Sequence, residues 1–349
     1  MPKAEIPTIA VVGGGIRGSM FARAIQENVG AELGAICDAN PRIRESAGRT
    51  FGVPVYSSVE DMLQTEVGLG AAVIATPDFA HRDAAVLCAS AGLDLMIEKP
   101  LATTTADAQA IIDAAQRAST KVMVGFENRW NPRFTAVREL LQNASDGSVV
   151  NQIVNLNDTV YVPTKMLSWA SKSSPAWFLM PHTLDLAIWL SDSTPVAVSA
   201  VGVRGALASR GVDTWDAISA TFTMSDGSYV ILNSSWILPE STPAVYDFRY
   251  EIQTTTGTVH IDGSHHGVTY YSADRVIWPQ WGVREHAGRI SGVPVDMMAD
   301  FIGMLRGQVS GLPTAQDGLL VTRAIEAVHQ SLETNAPIFL TDQPISLAN

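Results

Sequence analysis

The chain has 349 residues, 46% hydrophobic and 17% charged, enough for two domains with full apolar cores. Its formal net charge of −12, with no run of clustered Lys and Arg, argues against a phosphate-backbone-binding surface and so against nucleic acid. No segment approaches the ~20 uninterrupted apolar residues of a membrane span, and Cys37 and Cys88 are too few for a disulfide framework or a Cys-rich zinc site.

The N-terminus runs straight into an apolar stretch without an h-region and cleavage site, so a reducing cytoplasm is the expected location. Residues 8–18, TIAVVGGGIRG, read as a strand followed by Gly13-x-Gly15-x-x-Gly18, and SMFARAIQEN continues as a helix. In that setting the first glycine permits a tight turn and the second lets backbone approach a pyrophosphate. The third allows close helix–strand packing. Ile16 and Arg17 complete the loop, and the helix N-terminus offers free N–H groups to phosphates. A glycine-rich turn without a ligand is the competing reading.

The next strand, AELGAICD, ends at Asp38, where a carboxylate accepts hydrogen bonds from ribose hydroxyls and repels a 2′-phosphate. NAD is therefore favoured. Arg42 and Arg44 keep NADP open, and Asp38 can instead be a surface turn residue before Asn40-Pro41. Strands and helices then alternate: a strand near residues 53–56, a helix from Ser58, GAAVIATP, a helix from Asp78, and LDLMIE. Thr76-Pro77 borders the cofactor at a strand end. His81 follows near a helix start, a place more typical of capping or packing, and joins the candidate cofactor residues.

The stretch LDLMIEKP is the most informative. A short apolar run reads as a parallel strand buried on both faces, and Pro100 stops it by restricting Lys99 to extended backbone. Glu98 and Lys99 thus fall at the carboxyl edge, where open parallel sheets bind ligands. The helix TTADAQAIIDAAQRAS and the strand KVMVGF complete a doubly wound α/β domain over residues 1–126.

Residues 127–349 change character. Strand-like runs dominate from about Asn151 to Ser272, with hairpin signals at Ser225-Asp226-Gly227 and Thr256-Gly257. Direct hairpins imply a large open antiparallel sheet flanked by helices, an α+β domain. WPQWGVREHAGRISGVPVD, residues 278–296, reads as a long loop bordering substrate or a neighbouring subunit, before two late helices. In PHTLDLAIWLSD, Pro181 suits a first helical turn. His182 would then sit at the positive end of the helix and stay neutral, as a base requires. Asp185, three residues on, either orients the ring or simply favours the dipole. His265-His266 and His286 lack a convincing metal spacing, so no metal is expected.

In order, GGGIRG, ICDAN, ATPDFAH, Glu98-Lys99-Pro100, VGFENRWNP, His182-x-x-Asp185, TTTGTVHID and PTAQDGLLVTRAIEAVHQS resemble the Gfo/Idh/MocA oxidoreductases. The resemblance implies a Rossmann domain and an antiparallel-sheet domain that often makes dimers or tetramers. It also implies NAD(P)-dependent redox on a sugar or cyclitol carbon. Lys99 and His182 match the pair that flanks the reacting hydroxyl. Many members carry an aspartate four residues before that histidine; here the position holds Phe178.

Without that carboxylate a desolvated lysine deprotonates more easily. Lys99 is then expected to share the base role, with His182 as principal proton acceptor and Asp185 as orienter. Trp177 and Phe178 either line an apolar sugar face or pack the core. Arg129 and Trp130 are candidate substrate contacts, although Glu127 and Asn128 depart from the commoner pattern. Two other readings stay open: tightly bound NAD driving elimination or glycosidic cleavage, and a non-catalytic NAD or sugar sensor.

Overall fold

In the computed structural model, which describes residues 6–142, 147–272, 274–278 and 282–340, the apolar runs of the first third become parallel strands. β1 (Thr8–Val12), β2 (Glu32–Cys37), β3 (Val55–Tyr56), β4 (Ala71–Ile74), β5 (Asp94–Glu98) and β6 (Val122–Gly125) form a six-stranded sheet ordered β3-β2-β1-β4-β5-β6. Parallel neighbours need crossovers. These are α1 (Ile16–Glu27), α2 (Pro41–Phe51), α3 (Val59–Thr65), α4 (His81–Ser90) and α5 (Thr105–Ala118). Asn40, Ser58 and Thr104 start α2, α3 and α5 by accepting the N–H of Arg42, Asp61 and Asp107. Every residue of β4 is fully buried, which is why its sequence shows no polar alternation. The strand order reverses between β1 and β4, opening a crevice at their carboxyl ends.

A second unit comprises Asn131–Trp281 and Arg323–Asn349. It contains α6 (Pro132–Leu141), β7 (Val149–Thr159), α7 (Pro175–Ser191), β8 (Pro195–Val203), β9 (Ala217–Met224), β10 (Tyr229–Leu238), β11 (Tyr246–Thr254) and β12 (Thr258–Asp262). With β17 (Ile338–Phe339) these strands give a seven-stranded sheet ordered β12-β11-β7-β10-β9-β8-β17. Both expected hairpins form. Gly227 takes φ 86° between β9 and β10, and the Thr254 N–H donates to Gly257 O at 2.8 Å between β11 and β12. The sheet is not wholly antiparallel, because β10 runs parallel to β7. The reason is that the chain crosses over through α7 before the β8–β9–β10 meander returns beside β7.

Along β10, Val230, Leu232, Ser234 and Trp236 are buried, and α7 packs on β7 and β10. On the other face Asn233 and Ser235 donate to Asn155 and Asn157 across the strands. Of the run GVTYYS only β13 (Tyr270–Tyr271) is strand, paired with β14 (Val276–Ile277).

The chain then returns to the first unit, which consists of Met1–Trp130 and Gly282–Thr322. Part of the expected long loop, residues 279–281, lies outside the described residues. The rest is a hairpin, β15 (Val283–His286) with β16 (Arg289–Gly292), tied to α1 rather than left open. Arg23 Nη1 donates to Glu285 Oε2 at 2.8 Å, and the Ile290 N–H donates to Glu27 Oε2 at 2.8 Å. α8 (Val293–Leu305) follows, then α9 (Ala315–Thr334). Met297, Met298, Phe301 and Ile302 share one buried cluster with Phe21, Ala24 and Ile25 of α1. The compact first unit thus runs four residues past the expected boundary at 126 and takes in the return segment, whose helix α8 covers the apolar face of α1. No helix among the described residues is long and apolar enough to cross a membrane.

Candidate active site

The glycine loop is built for close approach. Gly13 sits at φ 94°, and a Cβ there would lie 2.6 Å from the Ala75 carbonyl carbon, so the loop presses on the end of β4. At Gly18 a Cβ would meet Gly13 O at 1.7 Å, which only glycine avoids. Gly15 differs. It is the N-cap of α1 with no side-chain cap, and a Cβ on it would meet nothing within 4 Å. Uncapped N–H groups beside open space are what a pyrophosphate requires.

Asp38 lies half-buried at the end of β2. Its Oδ2 accepts the Gly14 N–H and its Oδ1 the Asn40 N–H, both at 2.8 Å, so the carboxylate also shapes the loop. Arg44 Nη1 donates to the carbonyls of Asp38 and Ala39, while Arg42 remains on the surface. At the end of β4, Thr76 Oγ1 is buried without a hydrogen-bond partner among the described residues. Such an atom suits a polar ligand. The open position at Gly15, the free donors of α1, Asp38 and the Thr76 hydroxyl together fit a dinucleotide.

Lys99 follows β5 directly, half-buried, with its backbone N–H 3.2 Å from Glu98 Oε2. Glu98 is itself buried and held by Arg17, whose Nε donates to Glu98 Oε1 at 2.7 Å. Arg17 Nη2 reaches Glu127 Oε2 at 2.9 Å, and the guanidinium lies 4.9 Å from the centre of the Phe21 ring. Burial disfavours the Arg17 charge, but Glu127 and Glu98 outweigh it and hold the cation firmly. Burial pushes the Lys99 ammonium below its ordinary value, opposed by Glu98 and aided by Arg17. A lysine so placed gives up a proton more readily than a surface one.

Arg17 thus joins Glu98 to Glu127, a network the sequence did not reveal. Nothing in spacing connects residues 17, 98 and 127; only the parallel order of β1, β4, β5 and β6 brings them to one edge.

Three expected contacts are corrected. The His81 ring is buried with both nitrogens against backbone carbonyls, so it does not face a cofactor. Arg129 Nη2 lies 3.4 Å from Asp317 Oδ1, with its guanidinium over the Phe126 ring. Trp130 donates its indole N–H to Asp300 Oδ2 at 2.8 Å and packs on the first unit's core. These last two engage the return segment through Asp317 and Asp300.

In the second unit α7 begins at Pro175, capped by Ser174 Oγ, which accepts the Trp177 N–H at 3.1 Å. Pro181 lies inside the helix, where it forfeits the bond to the carbonyl four residues back. His182 is therefore mid-helix, and the dipole argument for its neutrality falls. The Ser174-Pro175 pair, a cap followed by Pro, was the better start signal. Phe178, His182 and Asp185 do share one face of α7, three and four residues apart. His182 is half-buried and Asp185 buried, near enough to Tyr250 that its charge adds to burial in raising the phenol pKa. Tyr250 donates to Gln152 Oε1 at 2.6 Å, and Gln152 in turn donates to the Ala187 carbonyl at 3.0 Å.

Phe178 stands edge-on between Trp169 and Trp236, at 6.1 and 5.7 Å between ring centres. Trp177 turns elsewhere, stacking on His329 at 5.4 Å. Ser174 Oγ lies 3.1 Å from His329 Nε2. His265 contacts Thr269 and Trp278, and His266 the Gly263 carbonyl. Among the described residues no three His, Cys, Asp or Glu side chains gather to hold a metal.

Residues 8–126 match the model of an oxidoreductase family with an NAD-binding Rossmann fold. Residues 134–260 match that of the GFO/IDH/MocA C-terminal domain. An inositol 2-dehydrogenase of Rhizobium meliloti (strain 1021) is 27% identical over 254 residues, covering 71% of this chain and 73% of its own. A D-apiose dehydrogenase of Paraburkholderia graminis is 29% identical over 267 residues, covering 71% and 70%. Among solved structures, scyllo-inositol dehydrogenase from Lactobacillus casei with bound NAD(H) and scyllo-inositol aligns with a TM-score of 0.81. It is 21% identical, covering 96% of this chain and 99% of that one.

Proposed function

We propose, for a chain that belongs to the Gfo/Idh/MocA oxidoreductases, that it oxidises a secondary hydroxyl of a sugar, sugar derivative or cyclitol. The observation that carries this reading is Lys99 itself: it stands at the carboxyl end of β5, its proton loosened by burial and its strand end fixed by Glu98 and Arg17. The similarity to inositol and apiose dehydrogenases supports the substrate class.

Bound NAD supplies the acceptor for the hydride that leaves the carbinol carbon. The α1 N-terminus and Gly15 would hold the pyrophosphate, Asp38 would accept from the ribose hydroxyls, and Thr76-Pro77 would flank them. Asp38 opposes a 2′-phosphate, which makes NAD the preferred form over NADP. His182 takes the hydroxyl proton as the C–O bond becomes a carbonyl, leaving a ketone and an imidazolium. In the first unit Lys99, with its lowered proton affinity, is the group suited to hydrogen-bond a reacting hydroxyl and share its proton. Asp185, one turn along α7, orients the histidine. Phe178 replaces a carboxylate with an aromatic edge, so a sugar meets a C–H-binding surface there.

A panel of sugars and polyols, including myo-inositol, with NAD and NADP tests the reading through absorbance of the reduced cofactor. Lys99→Met and His182→Ala should each lower kcat by about 10²–10⁴ with NAD binding nearly unchanged. Near-wild-type turnover in either variant removes that residue from the mechanism. Turnover without accumulating reduced cofactor assigns the chain to internal redox chemistry instead.

The same reading places the enzyme in the cytoplasm as a homo-oligomer. Its contact surface would be the outer face of the seven-stranded sheet, where Val201 and Val203 are 72% and 63% exposed. Sedimentation of wild type against Val201→Glu tests this: a monomeric wild type overturns it.

A further inference from the structure

β5 stops at Glu98, whose ladder partner is Gly125, so sheet hydrogen bonds do not fix the two residues that follow. His81 does. Its ring is only 1% exposed, with Nδ1 2.7 Å from Pro100 O and Nε2 3.0 Å from Thr76 O. These carbonyls belong to the ends of two neighbouring strands, β4 and β5. One carries the threonine that borders the cofactor, the other the lysine that faces chemistry. We infer that His81 is a positioning residue, holding the Pro100 carbonyl and through it the Lys99 backbone in fixed register with Thr76. The inference rests on the proposed role of Lys99.

The two contacts are not equivalent. A neutral imidazole has one N–H, and the shorter contact assigns it to Nδ1 and Pro100 O. Nε2 donates to Thr76 O only in the imidazolium. The charged groups acting on the ring are Asp78 and Glu98, both of which favour that cation against burial. The Pro100 bond persists in either charge state, so it is the one that sets Lys99. A backbone displacement of ~1 Å at a reacting group costs about 10²-fold in rate.

Asparagine at position 81 places an amide N–H where Nδ1 stands, glutamine places one nearer Nε2, and leucine provides none. Two readouts are taken on the full chain: kcat and KM for NAD with myo-inositol or the best panel substrate, and acetic anhydride labelling of Lys99 against pH. The labelling is followed by peptide mass spectrometry on NAD-free protein and needs no turnover. His81→Leu and His81→Gln should lower kcat about 10²-fold, leave KM for NAD close to wild type, and move the half-labelling pH of Lys99 upward as its surroundings loosen. His81→Asn should recover most of both.

Unchanged labelling and turnover in His81→Leu overturns the inference, as does His81→Asn failing as badly as His81→Gln. If His81→Leu does not fold, the Asn and Gln variants decide alone by the same criterion. Lys99→Met is run alongside. Wild-type turnover there would remove the catalytic role of Lys99, while the labelling profiles would still decide whether His81 positions it.

Discussion

Arg17→Met is the sharpest probe of the network at the carboxyl edge. Arg17 is 34% exposed along its side chain, Glu98 8% and Glu127 21%. Removing one partner of a buried ion pair costs ~3–5 kcal/mol, whereas an exposed pair is worth about 0–1 kcal/mol. Arg17 lies between these limits, and the charge it strands, on Glu98, is the buried one, so about 2–3 kcal/mol is expected. At ~2–4 °C per kcal/mol for a domain of this size, the melting temperature should fall by about 4–12 °C. Glu98→Gln should cost less, about 1 kcal/mol, because Arg17 keeps Glu127 at 2.9 Å.

The double variant decides the matter. With both removed, no deeply buried charge is left unpaired, so Arg17→Met/Glu98→Gln should be more stable than Arg17→Met alone. Urea unfolding followed by tryptophan fluorescence, with unchanged m-values, measures each. Strict additivity, or an Arg17→Met cost under about 0.5 kcal/mol, would refute the argument, because additive effects mean the charges do not interact.

Burial, helped by Arg204, holds His329 down to about 4 from its ordinary 6.5. The unfolded chain takes up that proton first, so its contribution is complete above pH 6.5 and is lost as pH falls toward 4, up to ~3 kcal/mol in all. His329→Phe, which keeps a ring on Trp177, should flatten the wild-type loss of stability in this window; equal slopes would show that His329 does not titrate there. Gly15→Ala should fold normally, since its Cβ enters open space, but weaken NAD at least about tenfold in titration calorimetry. Gly18→Ala should instead fail to fold, a Cβ there meeting Gly13 O at 1.7 Å. Asp38→Asn should shift the kcat/KM ratio of NADP to NAD upward by about tenfold or more, by removing a charge that repels the 2′-phosphate.

The parallel sheet and its ligand edge were legible because their signals are local. A glycine loop between strand and helix, or an apolar run halted by proline, needs only its neighbours to be read. Lys99, Asp38 and the glycines therefore stand where the sequence puts them. What depends on distant partners was not legible: Glu127 on Arg17, Asp317 on Arg129, Asp300 on Trp130, and the return of α8. His182 was assigned to the first turn of its helix, and not to the middle where it stands, for a different reason. Proline marks a first helical turn only in the absence of a better start, and Ser174-Pro175 supplies one six residues earlier. The parallel β7–β10 pair escaped because hairpin signals report adjacent strands and say nothing of a strand that meets its partner after two intervening ones.

The placement of α8 has a consequence for synthesis. A ribosome releases the Rossmann strands long before residues 293–305 exist, so during most of translation Phe21 and Ile25 face water or whatever nascent chain is nearest. The N-terminal unit cannot close its core as it emerges. It must wait, partly open, while the whole intervening sheet is made. Its completion is thus tied to residues 293–305, and a fragment cut at residue 126 should be sticky and prone to capture by chaperones rather than a minimal NAD-binding module.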